Sequence, residues 1–472
     1  MEADPVRLEE YDDAGLREWA RRHGAECAAL LGASVAGGAI YDPRAARRLM
    51  AGSADPAAAS FATALAGLQP GRNRADVGPV AALWEAVPAA ERAAWAVRYP
   101  GVIGSLTGAD FASRVRANVL VAAGLLYVLE AELAAAESVA GPLPALPVGL
   151  GVRAVVRGAW DGWRWARKAG VRAVQVSRQI AGFREAVRRA DVPIRLLYCS
   201  TARDGRFVAL SGAVGPATRT VAVVVPGTLT YGNHMVMNLG RLDDVDGRSL
   251  EPSSAVGVYW QGCEFPRFIT DNADRRFNQA AREKLAAFDA ALDVECERAV
   301  EAARAAGEAG VAPVQTYIGH SYGASAIGSA EARAEGLTLD RMVYAGAPGT
   351  GFKVQVPADT VNAGAERYAL VAPVDWKPWL GGTLYGGAMG GDPVREMGAE
   401  LLETGFLDHE RRQRRLLNHN DYLRGGSTAA LNIRAVVLGH KPLPAVLRRP
   451  WPRGRMSDRK LRRRIDGLRL PR

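Results

Sequence analysis

Cysteine and histidine are scarce in this 472-residue chain, and their placement removes several chemistries at once. The four cysteines, Cys27, Cys199, Cys263 and Cys296, lie far apart with no Cys-x-x-Cys pair. Neither a disulfide framework nor a zinc site is expected from such spacing, and the thiols read as small buried hydrophobes in a reduced compartment. There is no P-loop, no GxGxxG after a strand and no cluster of metal-ligating side chains, so no cofactor and no metal are implied. No repeat at solenoid periods occurs. The start, Met1-Glu2-Ala3-Asp4-Pro5, lacks the basic segment and apolar core of a signal peptide. The longest apolar stretch, near Val119 to Leu129, reads as a buried helix too short to span a bilayer. A cytoplasmic location is the expectation, with unconventional export or assembly into a particle left open.

What the chain does contain is one pentapeptide in an informative context. Gly319-His320-Ser321-Tyr322-Gly323 follows the strand-like run Val314, Thr316, Tyr317, Ile318 and opens an alanine-rich helix. Strand, GxSxG and helix in that order form a nucleophile elbow: the glycines permit a sharp turn that lifts the serine hydroxyl above the sheet edge, and the helix behind aims N–H groups at the reaction centre. Upstream, Thr220 to Val225 is a continuous β-branched run of the kind buried on both faces of a parallel sheet. It ends in Pro226-Gly227-Thr228-Leu229, where an amide of Thr228 or Leu229 would join that of Tyr322 in an oxyanion hole. His320 is expected to point away from its neighbour.

A base and an acid should follow the serine in chain order. Two further strands, Arg341 to Gly346 and Arg367 to Ala372, are each followed by a proline-containing turn, and Asp375 lies just past the second. Asp392 and Asp340 compete with it for the role of acid. Of the six histidines, His23 and His234 precede the serine and His320 belongs to the elbow. His409 reads as part of a charged helical stretch, Asp408 to Arg412, and His440 as the end of a helix. His419, in the polar loop Asn418-His419-Asn420-Asp421-Tyr422 ahead of a last helix capped by Ser427 or Thr428, is best placed to serve Ser321.

These blocks resemble an actinobacterial α/β-hydrolase family of unassigned substrate that carries a helical N-terminal region. Val225-Pro226-Gly227-Thr228 is similar to its oxyanion loop, and Gly319 to Gly323 to its elbow. Gly346 to Gly351 is similar to its next turn, Ala372 to Asp375 to its acid loop, and His419-Asn420-Asp421-Tyr422 to its His-x-Asp-Tyr motif. Trp84, Pro100 to Gly108 and Arg114 to Asn118 resemble its helical lead-in, so the likeness runs from about Trp84 to His440. Cys263 and Glu264 stand where that family has tyrosine and aspartate, which would alter the pocket wall, and Asn418 stands where glycine is usual. The resemblance implies a Ser321–His419–Asp375 triad and brings no substrate.

The organisation that follows is a helical region over 1–80, a helical lead-in or cap over 81–192, an α/β domain with a mostly parallel sheet flanked by helices over 193–440, and a basic tail over 441–472. The tail holds twelve Lys or Arg against two Asp, a net charge of +10 that equals that of the whole chain. It reads as disordered, either a solvated end or a ligand for an anionic membrane, nucleic acid or an acidic partner. Between Arg153 and Arg189, Trp160, Trp163 and Trp165 stand among basic residues in an amphipathic helix, which would pack on the α/β domain or meet a membrane surface. The function expected is hydrolysis of a carboxylic ester or thioester, on a small-molecule or lipid acyl substrate. A peptidase or acyltransferase on the same groups stays open. So does an assembly protein, of a phage particle or secretion apparatus, that docks through its helical half.

Overall fold

The computed structural model describes residues 7–32, 43–69, 71–144, 152–188, 194–231, 234–372, 375, 388–409, 413–415 and 419–445. The tail beyond residue 445 and the loop residues Pro373, Val374 and Asn418 lie outside that set.

The sheet is built from β1 (Arg195–Ser200), β2 (Arg206–Leu210), β3 (Thr220–Val225), β4 (Ala255–Gln261), β5 (Val314–His320), β6 (Arg341–Ala345), β7 (Glu366–Leu370) and β8 (Glu400–Leu402). Its order is β1-β2-β4-β3-β5-β6-β7-β8, with β2 antiparallel to both neighbours and every other pairing parallel. The architecture is α/β, as expected. β3 and β5 lie side by side at its centre with Val225 opposite Gly319, so the loops after them share one edge of the sheet.

The β-branched run of β3 explains its central place. Val221, Val223 and Val225 enter one hydrophobic core while Ala222 and Val224 enter the other, so both faces of the strand are dry. The first face is covered by the helix Arg275–Ala305, through Phe277, Leu285 and Leu292, and by Tyr322–Glu331, through Ala324 and Ile327. The second is covered by Phe111–Ala140, Val152–Arg188, Met235–Val245 and Thr428–Val437. Gly170, at φ 87° and ψ 167°, breaks the Val152–Arg188 helix. The part after the break packs Val176, Ile180 and Phe183 into the core, while Trp160 and Trp163 before it stack on each other in solvent.

Phe111–Ala140 is 30 residues long, not the short apolar segment expected. It is the one described helix long and apolar enough to cross a membrane, and half of its most apolar window is buried within the protein. Val121, Leu125 and Leu129 join the core beneath the sheet, the position of a core helix.

Among the described residues, five helices between Pro43 and Ile103 pack around Trp84 and Trp95, whose indole N–H groups donate to Asp110 and Asp55, while Asp13–Arg22 and Gly24–Leu31 pack Leu16, Ala20 and Cys27 against Val97, Leu120 and Ala123. Charge ties this region to the α/β part. Arg74 bonds Asp289 and, at 3.0 Å, Asp293, both on the Arg275–Ala305 helix, and Arg298 of the same helix bonds Glu85 and the Gly108 carbonyl. Of the stretch expected to be helical, Asp408 ends the strand Phe406–Asp408 and His409 follows it in a turn, while Glu410 to Arg412 lie outside the described residues. That strand pairs antiparallel with Gln413–Arg415, and the N–H of buried Phe406 donates to Thr428 Oγ1 at 3.0 Å.

Candidate active site

Ser321 stands between β5 and the Tyr322–Glu331 helix at φ 54° and ψ −124°, a conformation that disfavours every residue with a Cβ. Its N–H donates to the Ala345 carbonyl at 2.9 Å, which pins the turn to the neighbouring strand. The glycines around it are required by contact rather than by torsion. A Cβ on Gly323 would lie 2.1 Å from the Val225 carbonyl oxygen, and one on Gly319 would lie 2.3 Å from Ala324 Cα. Only a chain without side chains at these two positions can fold the helix this tightly against β3 and β5.

The turn after β3 comes equally close. A Cβ on Gly227 would meet Ser321 Cβ at 2.8 Å and Oγ at 3.3 Å. The Leu229 N–H is committed to the Pro266 carbonyl at 2.9 Å, which removes it from the oxyanion role and leaves the Thr228 amide. Thr228 is fixed by its own hydroxyl, donating to Asn272 Oδ1 at 2.7 Å, a partner that sequence reasoning missed. The amides of Thr228 and Tyr322 form no backbone hydrogen bond among the described residues.

His419 and Asp375 are both buried, and the structure joins them. His419 Nδ1 donates to Asp375 Oδ2 at 2.6 Å. Tyr422 adds a second donor to the same oxygen at 2.9 Å, while its own oxygen accepts the Ala372 N–H at 2.8 Å. Burial and the Asp375 charge push the Tyr422 phenol well above its ordinary range, so it remains a donor at any working pH. The competing carboxylates are spent elsewhere: Asp392 caps the turn at Val394 and Arg395, and Asp340 accepts from the Gln315 N–H.

His320 does not point away. Its Nε2–H donates to the His419 carbonyl at 2.9 Å, and the two rings lie 5.1 Å apart. Burial, reinforced by the neighbouring His419, holds the His320 imidazole down to about 3, so it is a neutral clamp on the histidine loop. His419 Nε2 is left buried without a hydrogen-bond partner. His409 instead bonds Thr428 Oγ1, and His440 follows the last helix with its N–H on the Ala435 carbonyl.

Ser321, His419, His320, Thr228 and Asn272 line one cavity of about 330 Å³. Its remaining wall comes largely from the Met235–Val245 helix and the turn before it, through His234, Met237, Asn238 and Arg241. None of these four had a signal in the sequence beyond helical spacing. Burial, with the Arg241 charge second, lowers the His234 imidazole. Cys263 and Glu264 do not reach this cavity: the thiol is buried, and the carboxylate pairs with Arg203 and Arg267. The expected change in the pocket wall is therefore not found.

The described residues contain no group of three or more His, Cys, Asp or Glu that could hold a metal ion. An imidazole held through Nδ1, with Nε2 unbonded in a cavity shared with the strained Ser321 and two amides that make no backbone hydrogen bond among the described residues, can take a proton and support a developing oxyanion. No protein-family model matches the chain, and no characterised protein matches it.

Proposed function

We propose that this chain is a serine hydrolase that cleaves a carboxylic ester or thioester. One observation carries the reading: the strained Ser321 elbow and the Asp375-bound His419 open onto the same cavity. The eight-stranded, mostly parallel sheet with its nucleophile after the central strand is compatible with the α/β-hydrolase class that the sequence motifs suggest.

In this mechanism Ser321 Oγ attacks the acyl carbon while its proton passes to His419 Nε2. The carbonyl oxygen takes up the negative charge and rests on the N–H groups of Tyr322 and Thr228. Each such donor contributes about 3 kcal/mol to the transition state. Asp375 stays ionised and holds the imidazolium that forms. Collapse breaks the bond to the leaving oxygen or sulfur, which receives the proton from Nε2. Water, giving a proton to His419, then attacks the acyl-enzyme, and the acid departs as Ser321 regains its hydrogen. The Tyr422 hydroxyl and the His320 clamp act through Asp375 and His419 as positioning groups.

A fluorophosphonate probe followed by peptide mapping tests the reading. Ser321 is expected to be the single labelled residue, with labelling lost in Ser321→Ala and turnover of short p-nitrophenyl esters lost in His419→Ala. A well-folded wild type that takes no label overturns it.

A further inference from the structure

Ester cleavage at Ser321 does not by itself require a charge in the cavity wall, yet the wall contains one. Among the described residues that line it, Arg241 is the only side chain of fixed charge, and none of them is Asp or Glu. It belongs to one helical face, His234, Met237, Asn238 and Arg241, spaced three or four residues apart.

The guanidinium is held but not neutralised. Its Nη1 donates to Asn238 Oδ1 at 3.4 Å, and Asn238 Nδ2 donates onward to Tyr259 Oη at 2.6 Å, a chain that runs into the buried interior. No carboxylate pairs with Arg241 among the described residues, although Arg172, Arg267, Arg298 and Arg367 each hold one. Its field also reaches the site, since it contributes to lowering both His234 and His320. A partly shielded cation without a counter-charge is under-solvated, and its planar fork matches the two oxygens of a carboxylate or phosphate. Apolar Leu229, Met237, Ile269 and Leu423 supply contacts for a carbon chain in the same cavity.

We infer that the substrate of Ser321 carries an anionic group, a carboxylate or a phosphate, which Arg241 engages while the acyl carbon sits on the nucleophile. The inference rests on the hydrolase reading for the word substrate, but anion binding is measurable without turnover.

Two experiments on the full chain separate the claims. In the first, adipate, hexyl phosphate and neutral hexanol are titrated calorimetrically into Ser321→Ala and into Ser321→Ala/Arg241→Gln. The second replacement is expected to weaken the better-bound anion about 10- to 100-fold, the range for one charge-assisted contact, and to leave hexanol unchanged. Which anion binds more tightly to Ser321→Ala decides between carboxylate and phosphate. No anion binding, or equal binding to both proteins, overturns the inference. In the second, kcat/KM for p-nitrophenyl hexanoate and for the mono-p-nitrophenyl ester of adipic acid are compared. Their ratio should favour the charged ester in wild type, fall in Arg241→Gln and return in part in Arg241→Lys. If Ser321 takes the probe and that ratio does not respond to Arg241, with no anion preferring Ser321→Ala, the anion inference fails alone. If anions bind through Arg241 and Ser321 takes no probe, the hydrolase reading fails and the anion site stands.

Discussion

Replacing Ser321 by glycine is expected to stabilise the protein while abolishing its chemistry, and the comparison with alanine isolates the reason. At φ 54° and ψ −124° the serine Cβ crowds its own backbone, a state that costs about 1–3 kcal/mol for a non-glycine residue. Alanine keeps that Cβ and so keeps the strain. Glycine removes it, at an entropic cost of about 0.5–1 kcal/mol for ordering a freer unfolded chain. The serine hydroxyl makes no capping hydrogen bond to the helix it precedes, so neither variant loses one. The Ser321 N–H bond to Ala345 is a backbone interaction open to all three residues. Ser321→Gly should therefore exceed Ser321→Ala by about 1 kcal/mol, which for a urea slope near 3 kcal/mol/M is a midpoint shift of about 0.3 M. Equilibrium urea unfolding followed by tryptophan fluorescence measures it. A glycine variant no more stable than the alanine variant would refute the claim that the elbow stores strain.

Tyr422→Phe keeps the ring packing but withdraws a donor from Asp375 and strands the buried Ala372 N–H, so stability should fall by about 2–4 kcal/mol and kcat about tenfold. A loss of stability with kcat intact would make Tyr422 a scaffold of the loop only. Gly227→Ala drives a methyl group to 2.8 Å from Ser321 Cβ, and ester turnover should drop at least 100-fold with the fold retained by circular dichroism. Arg74→Met has a pH signature. Burial and Asp293 push the Asp289 carboxyl up to about 7 despite Arg74. Because its folded value lies above the unfolded one, its contribution is present below about pH 4 and is lost as pH rises through about 7. Without Arg74 that loss deepens, so the variant should be about 2–3 kcal/mol less stable than wild type at pH 8 and closer to it at pH 5, read from urea midpoints at the two values. A penalty independent of pH would show that Arg74 acts by packing alone.

The fold was legible where one local pattern has one solution. The valines of β3 are apolar at consecutive positions, and only a strand between two covered faces satisfies them, so its central place followed from composition. Strands β1 and β2 carry mixed sequences such as Arg-Leu-Leu-Tyr-Cys-Ser and were not separately delimited, because pairing across the sheet defines them rather than their own propensity. The helical reading of Asp408 and His409 failed for a related reason. Their charge suits a helix surface, whereas strand pairing with Gln413–Arg415 and the bond from Phe406 to Thr428, 22 positions away, are not written in the local sequence.

At the site, the elbow was readable because GxSxG records steric limits within five residues, and the contacts at Gly319 and Gly323 are those limits made visible. Asp375 and His419 were readable through chain order, since their place is set by where strands end. The supporting groups were not. Asn272, His234 and Arg241 reach the cavity because of how a loop and a helix pack over the sheet, and no local sequence rule carries that information. His320 shows the limit most sharply. Next to a nucleophile it was expected to turn away, and alternation along a strand gives that answer. The strand ends at His320 itself, however, and the left-handed serine that follows redirects the chain, so the imidazole comes to rest under the carbonyl of His419. The turn that strains Ser321 thus lies next to the imidazole that holds the His419 carbonyl, and substituting either residue should disturb the other.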